Sequence, residues 1–374
     1  MKSWDAIIIG GGIIGLSLAI SLRKQGLRVL IVERGEAGRE ASHAAAGMLA
    51  GSGLEIPPAL RTLAEESARM YPEFVHELED ESGAKVDLRE HGTILVSSDD
   101  HFPELAEPIS SEKRRSLEPA VVASDTVLAG RGRPQLQEFS AFLSERSVDP
   151  RALVAATVKA ARHRGVDISS GTEVTGLRLD GERVVGVQTE KISYSAAVVV
   201  NCAGAWAGCI APHRFPVRPV KGQMLAVVDG PNLKHVVRSD KIYLVPRSDH
   251  RIVIGSTLEE AGYNKQTDVD AIQRLLHAAV ELVPALAGAR LHEDWAGLRP
   301  GTPDELPILG ETSVTGYFVA TGHYRDGVLL APITAQVMTN VILGKSSGFN
   351  LVPFSPARFN LRNISPRRHG GTES

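Results

Sequence analysis

The chain has 374 residues, 43% of them hydrophobic and 23% charged, and 41 Lys and Arg stand against 44 Asp and Glu for a formal net charge of -3. This balance is typical of a globular protein, and the lack of a basic excess argues against nucleic acid or anionic lipid as a partner. At roughly 150 residues per domain, the length favours two domains. Cys202 and Cys209 fit neither a disulfide framework nor a zinc site. They indicate a reducing cytoplasm, with both side chains buried as small hydrophobic groups.

The apolar segment from Asp5 to Leu22 has the hydropathy of a signal peptide, but its glycines indicate a strand, a turn and a helix. A buried strand is predicted from Asp5 to Ile9, a helix from Ile13 to Lys24, and a second strand from Arg28 to Glu33. Strand, helix and strand in about thirty residues predict a right-handed βαβ unit in a parallel sheet. We therefore expect no targeting peptide and no membrane insertion.

Three glycines stand between the first strand and its helix, with the spacing Gly10-x-Gly12-x-x-Gly15. The first permits a tight turn, the second lets the backbone approach a pyrophosphate, and the third allows the helix to pack closely on the strand. The helix N-terminus attracts an anion. Glu33 at the end of the second strand suits a ribose diol and repels a 2′-phosphate. The pattern predicts a dinucleotide site and leaves FAD and NAD both open.

The rest of the chain predicts further elements of both kinds. In order, these are a helix at 58–81, strands at 85–88 and 93–97, a helix capped by Asp149 that runs to Arg164, a strand at 166–168, a β-meander at 172–179, 184–189 and 193–200, strands at 223–228, 241–245 and 251–255, a helix at 268–283, a strand at 317–320 and a helix at 327–343. After Pro353 the chain becomes basic, with Arg358, Arg362, Arg367 and Arg368, which predicts a frayed C-terminal extension over residues 346–374.

Five ordered segments carry a family likeness. They are Ala41-Ser-His-Ala-Ala-Ala-Gly-Met-Leu-Ala50, Asn201-Cys-Ala-Gly-Ala-Trp-Ala-Gly208, Tyr243-Leu-Val-Pro-Arg247, Trp295-Ala-Gly-Leu-Arg-Pro-Gly-Thr302 and Gly322-His-Tyr-Arg-Asp-Gly-Val-Leu-Leu-Ala-Pro332. Together they resemble the D-amino acid oxidase family of flavoproteins, most closely its glycine oxidases, over about residues 4 to 345. The resemblance implies an α/β fold, in which a Rossmann-type FAD-binding domain is interleaved with a largely antiparallel α+β substrate domain. The expected boundaries are 1–84, 150–216 and 300–345 for the first domain, and 85–149 and 217–299 for the second.

The resemblance also implies a set of cofactor-binding residues. They are Gly10, Gly12, Ile14, Gly15, Glu33, Arg34, Ser42, Ala45, Ala46, Gly47, Met48, Val174, Ala203, Gly204, Trp206, Arg299, Gly322, His323, Tyr324, Arg325, Asp326, Gly327, Val328 and Leu329. Small residues at 44–47 suit a segment that lets a flat cofactor lie against backbone, and a flexible loop is the alternative. A helix N-terminus within 322–332 is expected to stabilise reduced flavin. Since no cysteine follows Cys209, FAD is expected to be held non-covalently.

By the same resemblance, Tyr243, Arg299 and Arg325 are the catalytic residues. Arg299 has the planar fork that grips a carboxylate, Tyr243 adds a hydroxyl donor, and Arg325 lies near the amine. The implied reaction passes the Cα hydrogen of glycine, sarcosine or a small D-amino acid to flavin N5 as hydride, and oxygen becomes hydrogen peroxide. The imine then hydrolyses to a keto acid and ammonia. Met48, Lys241 and Leu258 are expected to narrow the pocket.

Other interpretations of these residues stay open. Arg299 is alternatively a structural ion pair, Tyr243 a core aromatic and Arg325 a solvated loop charge. Other functions are a flavin dehydrogenase of D-amino acids or amines with a quinone or protein acceptor, and a non-catalytic FAD-binding sensor. An NAD-dependent dehydrogenase is disfavoured because the C-terminal segment that resembles flavin-binding sequences would then have no function. Homo-oligomer formation is left open, no metal is expected, and the resemblance implies thiamine biosynthesis as a setting.

Overall fold

The computed structural model describes residues 3–51, 56–98, 100–122 and 139–359. Its helices are α1 (Ile13–Lys24), α2 (Ala41–Ala44), α3 (Arg61–Ser82), α4 (Ser111–Leu117), α5 (Pro150–His163), α6 (Val269–Leu282) and α7 (Ala331–Ile342). Its strands are β1 (Ala6–Ile9), β2 (Val29–Val32), β3 (Met48–Leu49), β4 (Leu88–Arg89), β5 (Thr93–Ser97), β6 (Glu107–Pro108), β7 (Phe139–Leu143), β8 (Arg146–Val148), β9 (Asp167–Ser169), β10 (Val174–Asp180), β11 (Arg183–Thr189), β12 (Ser193–Ser195), β13 (Val198–Asn201), β14 (Arg218–Val228), β15 (Val236–Ser239), β16 (Tyr243–Pro246), β17 (Ile252–Gly255), β18 (Arg290–Gly301), β19 (Ile308–Glu311) and β20 (Tyr317–Thr321).

A six-stranded sheet contains the predicted βαβ unit. Its order is β19-β20-β13-β1-β2-β9, and every neighbouring pair is parallel except β19 with β20. Helices α1, α3, α5 and α7 cover one face, and the antiparallel sheet β10-β11-β12 covers the other. Because both faces are covered, β1 and β2 are buried along their whole length, as a continuous apolar run predicts. The βαβ prediction is confirmed.

An eight-stranded sheet forms the second large layer, in the order β18-β14-β17-β16-β15-β5-β7-β6. Its neighbours are antiparallel except β5 with β15. Helix α6 packs on one face, and Tyr243 and Trp295 on the other face pack with Ala46 and Met48. The fold is therefore the predicted mixed α/β fold. We propose that the two large sheets are the cores of the two predicted domains.

Three predicted elements are wrong in position. The third strand of the meander ends at Ser195, and Val198–Asn201 enters the six-stranded sheet as β13, because its valines suit a strand covered on both faces. The strand predicted at 85–88 lies at Leu88–Arg89. The helix predicted from residue 327 begins at Ala331, with Pro332 in its first turn. Residues 327–330 form turns, so they approach the sheet edge as irregular backbone.

Two predictions of burial and order are also wrong. Cys202 is buried as predicted, but Cys209 is exposed because it ends a 3₁₀ turn, Gly204–Cys209, at the surface. The chain after Pro353 is not frayed as far as residue 359, since Phe354 is buried and the Nε of Arg358 lies 2.8 Å from the carboxylate of Asp304. Arg362, Arg367 and Arg368 lie outside the described residues. Within the described ranges, no helix has the length and apolar character needed to span a membrane.

Candidate active site

A cleft of about 610 Å³ lies between the two large sheets. One wall is formed by the segments that follow β1, β2, β13 and β20, and the opposite wall by residues of β14, β16, β17 and β18. The carboxyl ends of parallel strands are where open α/β sheets bind their ligands. Most of the predicted site residues line this cleft. The exceptions are Gly15, Gly322 and Leu329.

The glycine turn has the backbone geometry that its spacing predicts at Gly10 and Gly15, and it leaves space beside Gly12. Gly10 has φ +104°, and a Cβ on it would lie 2.5 Å from the carbonyl oxygen of Cys202. A Cβ on Gly15 would lie 2.1 Å from the carbonyl oxygen of Gly10, so Gly15 acts through packing and not through the cleft. A Cβ on Gly12 would meet only the hydroxyl of Ser42, at 3.4 Å, and that hydroxyl accepts from the N–H of Ile13 at 3.0 Å. The N-terminus of α1 is thus open to an anion in the cleft.

Glu33 is held rigidly just beyond β2. Its Oε2 accepts from the N–H of Gly11 and its Oε1 from the N–H of Gly35, each at 2.8 Å, and the side chain is buried. Each carboxylate oxygen keeps a second lone pair, which suits the hydroxyls of a ribose. Val174 and Thr172 line the same end of the cleft. This end therefore fits the adenosine part of FAD.

A stack of three side chains closes this nucleotide end. The guanidinium carbon of Arg34 lies 3.5 Å from the centre of the Trp206 ring, and Trp206 stacks on Tyr263 with ring centres 5.3 Å apart. Glu40 pairs with Arg34 at 3.2 Å and with Lys265 at 3.0 Å. Sequence analysis missed Glu40, Tyr263 and Lys265, because no local pattern shows that the segment after β17 contacts the loop that follows β2.

Residues 44–48, which are small except for Met48, are held by hydrogen bonds from neighbouring elements, and this argues against the flexible loop that was the alternative for residues 44–47. The carbonyl oxygen of Ala44 accepts from the indole N–H of Trp295 at 3.0 Å, and that of Ala46 accepts from Arg247 at 2.6 Å. The carbonyl oxygen of Gly47 accepts from the N–H of Val148 at 2.8 Å. Gly47 has φ +78°, and a Cβ on it would lie 2.0 Å from the carbonyl oxygen of Val148. The close approach explains why glycine stands there.

Arg299 lies half-buried on the opposite wall of the cleft. Its Nη2 donates to the hydroxyl of Ser256 at 2.7 Å and its Nη1 to the carbonyl oxygen of Thr257 at 3.2 Å. Among residues 3–51, 56–98, 100–122 and 139–359, no carboxylate forms a salt bridge with Arg299, which contradicts the structural ion pair as its role. Sequence analysis missed Ser256 and Thr257, although they directly follow a predicted strand. The cleft thus holds a cation that has no carboxylate partner in the described ranges of the chain.

Tyr243 stands on β16 and lines the same cleft as Arg299. Its ring lies over Gly255, where a Cβ would come within 2.6 Å of the phenolic oxygen. The hydroxyl has Met224 Sδ as its neighbour at 3.8 Å, and a thioether is a weak acceptor. The hydroxyl of Tyr243 therefore retains a donor for a ligand in the cleft.

The segment after β20 bounds the cleft with backbone. The ring of His323 is buried, with Nε2 3.1 Å from the hydroxyl of Thr334, and burial lowers its pKa to about 3. Tyr324 has φ +47° and donates its N–H to the carbonyl oxygen of Pro300 at 3.1 Å. Arg325 is exposed at the rim. Asp326, Gly327 and Val328 follow it along the cleft.

The two predicted residues of this segment that miss the cleft do so for packing reasons. Leu329 is buried in the core beneath α7. A Cβ on Gly322 would lie 2.6 Å from Thr302 Cγ2, so that glycine serves a close approach of chain segments. Since α7 begins only at Ala331, the turn and not the helix end faces the cleft.

The three side chains expected to narrow the pocket differ in position. Met48 packs with Tyr243 and Trp295, and Leu258 lines the cleft with 57% of its surface exposed. The side chain of Lys241 is 76% exposed and its Nζ lies 3.9 Å from Glu281, so its ammonium group is at the surface. All three residues line the cleft, and we propose that Met48 and Leu258 are the two that narrow it.

A cleft that suits a dinucleotide on one wall and presents a half-buried arginine and a tyrosine on the other fits a dinucleotide-dependent oxidoreductase. The chain belongs to the DAO family of FAD dependent oxidoreductases, whose model matches residues 5–341.

Individual relatives agree with this family. Glycine oxidase of Pseudomonas aeruginosa is 34% identical over 365 residues, which cover 94% of this chain and 98% of that protein. The bifunctional protein ThiO/ThiG of Trichormus variabilis is 38% identical over 371 residues, which are 95% of this chain but only 55% of that relative. The crystal structure of glycine oxidase from Geobacillus kaustophilus has a TM-score of 0.87 at 30% identity, with 96% of this chain and 100% of that chain covered. The chain is thus an enzyme of the glycine oxidase type.

Proposed function

We propose that the enzyme oxidises the Cα–N bond of glycine or another small amino acid or amine, such as sarcosine or a small D-amino acid, and reduces oxygen to hydrogen peroxide. One observation carries the proposal. The guanidinium of Arg299 lies in the cleft without a carboxylate partner among the described residues, and the hydroxyl of Tyr243 lines the same cleft. These donors fit a substrate carboxylate, which accepts two bonds from a planar fork. The similarity to glycine oxidases favours glycine as the substrate.

FAD fits the remainder of the cleft. We assign the pyrophosphate to the N-terminus of α1 beside Ser42, the ribose to Glu33, the adenine to the end with Val174 and Trp206, and the flavin to the segment 44–48 and the turn at 323–328. When bound, FAD supplies hydride acceptance at N5 and transfer of the electrons to oxygen. The binding is proposed to be non-covalent. Acid denaturation of the yellow protein should release all FAD into the supernatant, and colour in the pellet would contradict this.

The chain contributes orientation more than acid-base chemistry. Arg299 and Tyr243 hold the carboxylate, which fixes the direction of the Cα–H bond. The ring of His323 is buried against Thr334 and burial lowers its pKa to about 3, which makes it a weak base, so we assign it no part in proton abstraction. The cation of Arg325 at the rim lowers the pKa of a nearby substrate amine and so favours its neutral form. Loss of hydride from Cα and of a proton from the amine to water leaves an imine, which hydrolyses to the keto acid and ammonia, or to glyoxylate and methylamine when sarcosine is the substrate.

The size of the substrate follows from the carboxylate anchor and the opposite wall. Met48 and Leu258 line the same cleft as Arg299, so we expect them to limit the side chain of a substrate held there to a small size. Because a small substrate buries little apolar area, its affinity rests on the ionic contact with Arg299.

Anaerobic addition of glycine tests the proposal. The flavin absorbance should bleach, and readmission of air should restore it with one hydrogen peroxide released per turnover. A panel of glycine, sarcosine, D-alanine and D-phenylalanine should show D-phenylalanine as the poorest substrate. Clear preference for bulky D-amino acids would refute the narrow pocket. Bleaching that only an artificial acceptor reverses would identify a dehydrogenase, and a flavin that no amine bleaches would identify a binding protein.

A further inference from the structure

We propose that Arg247 and Trp295 are positioning residues that aim the backbone N–H groups of the segment 44–48 at the flavin. The inference rests on the proposed placement of FAD along this segment. Both residues belong to motifs that the sequence singles out, and neither has a part in holding substrate in the mechanism above.

Arg247 is more deeply buried than is usual for an arginine. Only 5% of its surface is exposed, and burial lowers its pKa. Its guanidinium donates to two backbone carbonyl oxygens, that of Ala46 at 2.6 Å and that of Val148 at 3.2 Å. In the described part of the chain no carboxylate forms a salt bridge with it. Burial of a cation without a direct anionic partner is costly. We therefore infer that the role of Arg247 is to make these two hydrogen bonds.

Trp295 joins the same segment to the strand that carries Arg299. Its indole N–H donates to the carbonyl oxygen of Ala44 at 3.0 Å, and a Cβ on Gly297 would lie 2.5 Å from the Cβ of Ala44. Residues 295, 297 and 299 alternate along β18 and therefore share one face. The strand that binds the substrate carboxylate thus also touches the flavin-facing segment directly.

Peptide planarity converts these contacts into an orientation of N–H groups. In a trans peptide the C=O of one residue and the N–H of the next point in opposite directions. With the carbonyl of Ala44 held by Trp295 and that of Ala46 held by Arg247, the N–H groups of Ala45 and Gly47 point away from those two side chains. Both residues line the cleft. Donors fixed there stabilise the negative charge that a reduced flavin carries.

Two variants remove these donors while they keep the bulk of the side chain. Trp295→Phe keeps a ring beneath the guanidinium of Arg151, which lies 4.6 Å from the Trp295 ring centre, and Arg247→Met keeps a long apolar chain. Trp4→Phe is a matched control, because the Trp4 indole donates to Asp167 at 2.7 Å outside the cleft. Arg23→Met is the other, because Arg23 donates to the carbonyl oxygens of Arg164 and Leu27 at 2.9 and 2.7 Å.

The readouts are the flavin midpoint potential, the visible circular dichroism of the bound flavin, and KM against the limiting rate of flavin reduction. Loss of one buried hydrogen bond should slow flavin reduction roughly five- to tenfold. A tenfold weaker preference for the reduced form lowers a two-electron potential by about 30 mV. KM for glycine should stay within about twofold because Arg299 is intact. Arg247→Lys, which keeps one donor group, should restore part of the potential.

Wild-type potential, dichroism and reduction rate in both Trp295→Phe and Arg247→Met would overturn the proposal, and so would equal changes in the two controls. If Arg247→Met does not fold, Trp295→Phe decides, since its ring is retained. If glycine fails to bleach the wild-type flavin, the proposed substrate is wrong. The potential and dichroism of the unreacted holoenzyme then still test the positioning role.

Discussion

The guanidinium of Arg299 lies across the face of Gly222, where a Cβ would stand 2.2 Å from Nη1 and 2.4 Å from Nη2. The two residues belong to the paired strands β14 and β18. Because Gly222 has no side chain, the guanidinium of Arg299 has room to bind Ser256 and Thr257. Gly222, which has no side chain, therefore determines where the guanidinium of Arg299 lies.

Replacement of Gly222 by Ala should displace this guanidinium and raise KM for glycine by about tenfold or more, because overpacking moves the group that gives way. FAD content should be unchanged. Gly176→Ala is the control, since a Cβ on this strand glycine of β10 has no atom within 4 Å. Steady-state kinetics with both variants check the prediction, and equal KM values in the two would contradict it.

Removal of the cation itself should have a larger effect. Arg299→Ala should lower kcat/KM for glycine by a factor that corresponds to roughly 2–5 kcal/mol, while the flavin spectrum and the thermal midpoint stay near those of the wild type. Arg218→Ala, which removes an exposed ion pair with Glu260 at the start of β14, is the control. A variant of Arg299 that loses FAD or unfolds would instead indicate a structural role.

Glu33 should govern FAD affinity. In Glu33→Gln the new amide group faces either the N–H of Gly11 or that of Gly35 and loses one of the two bonds observed at 2.8 Å. One lost bond to a charged group predicts a dissociation constant for FAD that is raised roughly tenfold or more. Fluorescence quenching during reconstitution of the apoprotein measures it. Glu36→Gln, at an exposed residue paired with Arg39, should leave the constant unchanged.

Acid should destabilise the protein partly through His323. Burial lowers the pKa of this residue to about 3, whereas an unfolded histidine titrates near about 6.5. Between these two pKa values His323 binds a proton in the unfolded chain but not in the folded protein. The free energy of unfolding is therefore at its maximum above about pH 6.5 and falls toward pH 3 by up to about 1.4 kcal/mol per pH unit. His323→Gln should flatten this acid limb in urea unfolding between about pH 7.5 and 4.5. An unchanged slope, matching that of the exposed control His292→Gln, would refute the assignment.

The structural features that depend only on neighbouring residues could be predicted from local sequence patterns. The glycine turn, the acid at Glu33 and the cap of α5, where Asp149 accepts from the N–H of Arg151 at 2.8 Å, follow from spacing along the chain. These features need only neighbouring residues and the rules of strands and helices.

The rest depends on which distant segments meet. Tyr263 reaches Trp206, and Ser256 supports Arg299, only because the eight-stranded sheet brings these segments together. The helix predicted from residue 327 begins only at Ala331, after turns at residues 327–330 that a helical apolar pattern does not reveal. Cys209 is exposed because its turn ends at the surface. Such contacts have no signal in a single sequence.

The chain passes several times between the two large sheets, with β5 and β7 in one, β9 and β13 in the other, β14 to β18 in the first again, and β19 and β20 last. Division of the chain into an N-terminal and a C-terminal half would leave β5 in the first half without its partner β15, which lies in the second. The halves are therefore poor units for recombination. New substrate preferences in this architecture should arise by point substitutions at cleft residues such as Leu258, and a chimaera that joins one half to the other half of a distant relative should fail to assemble.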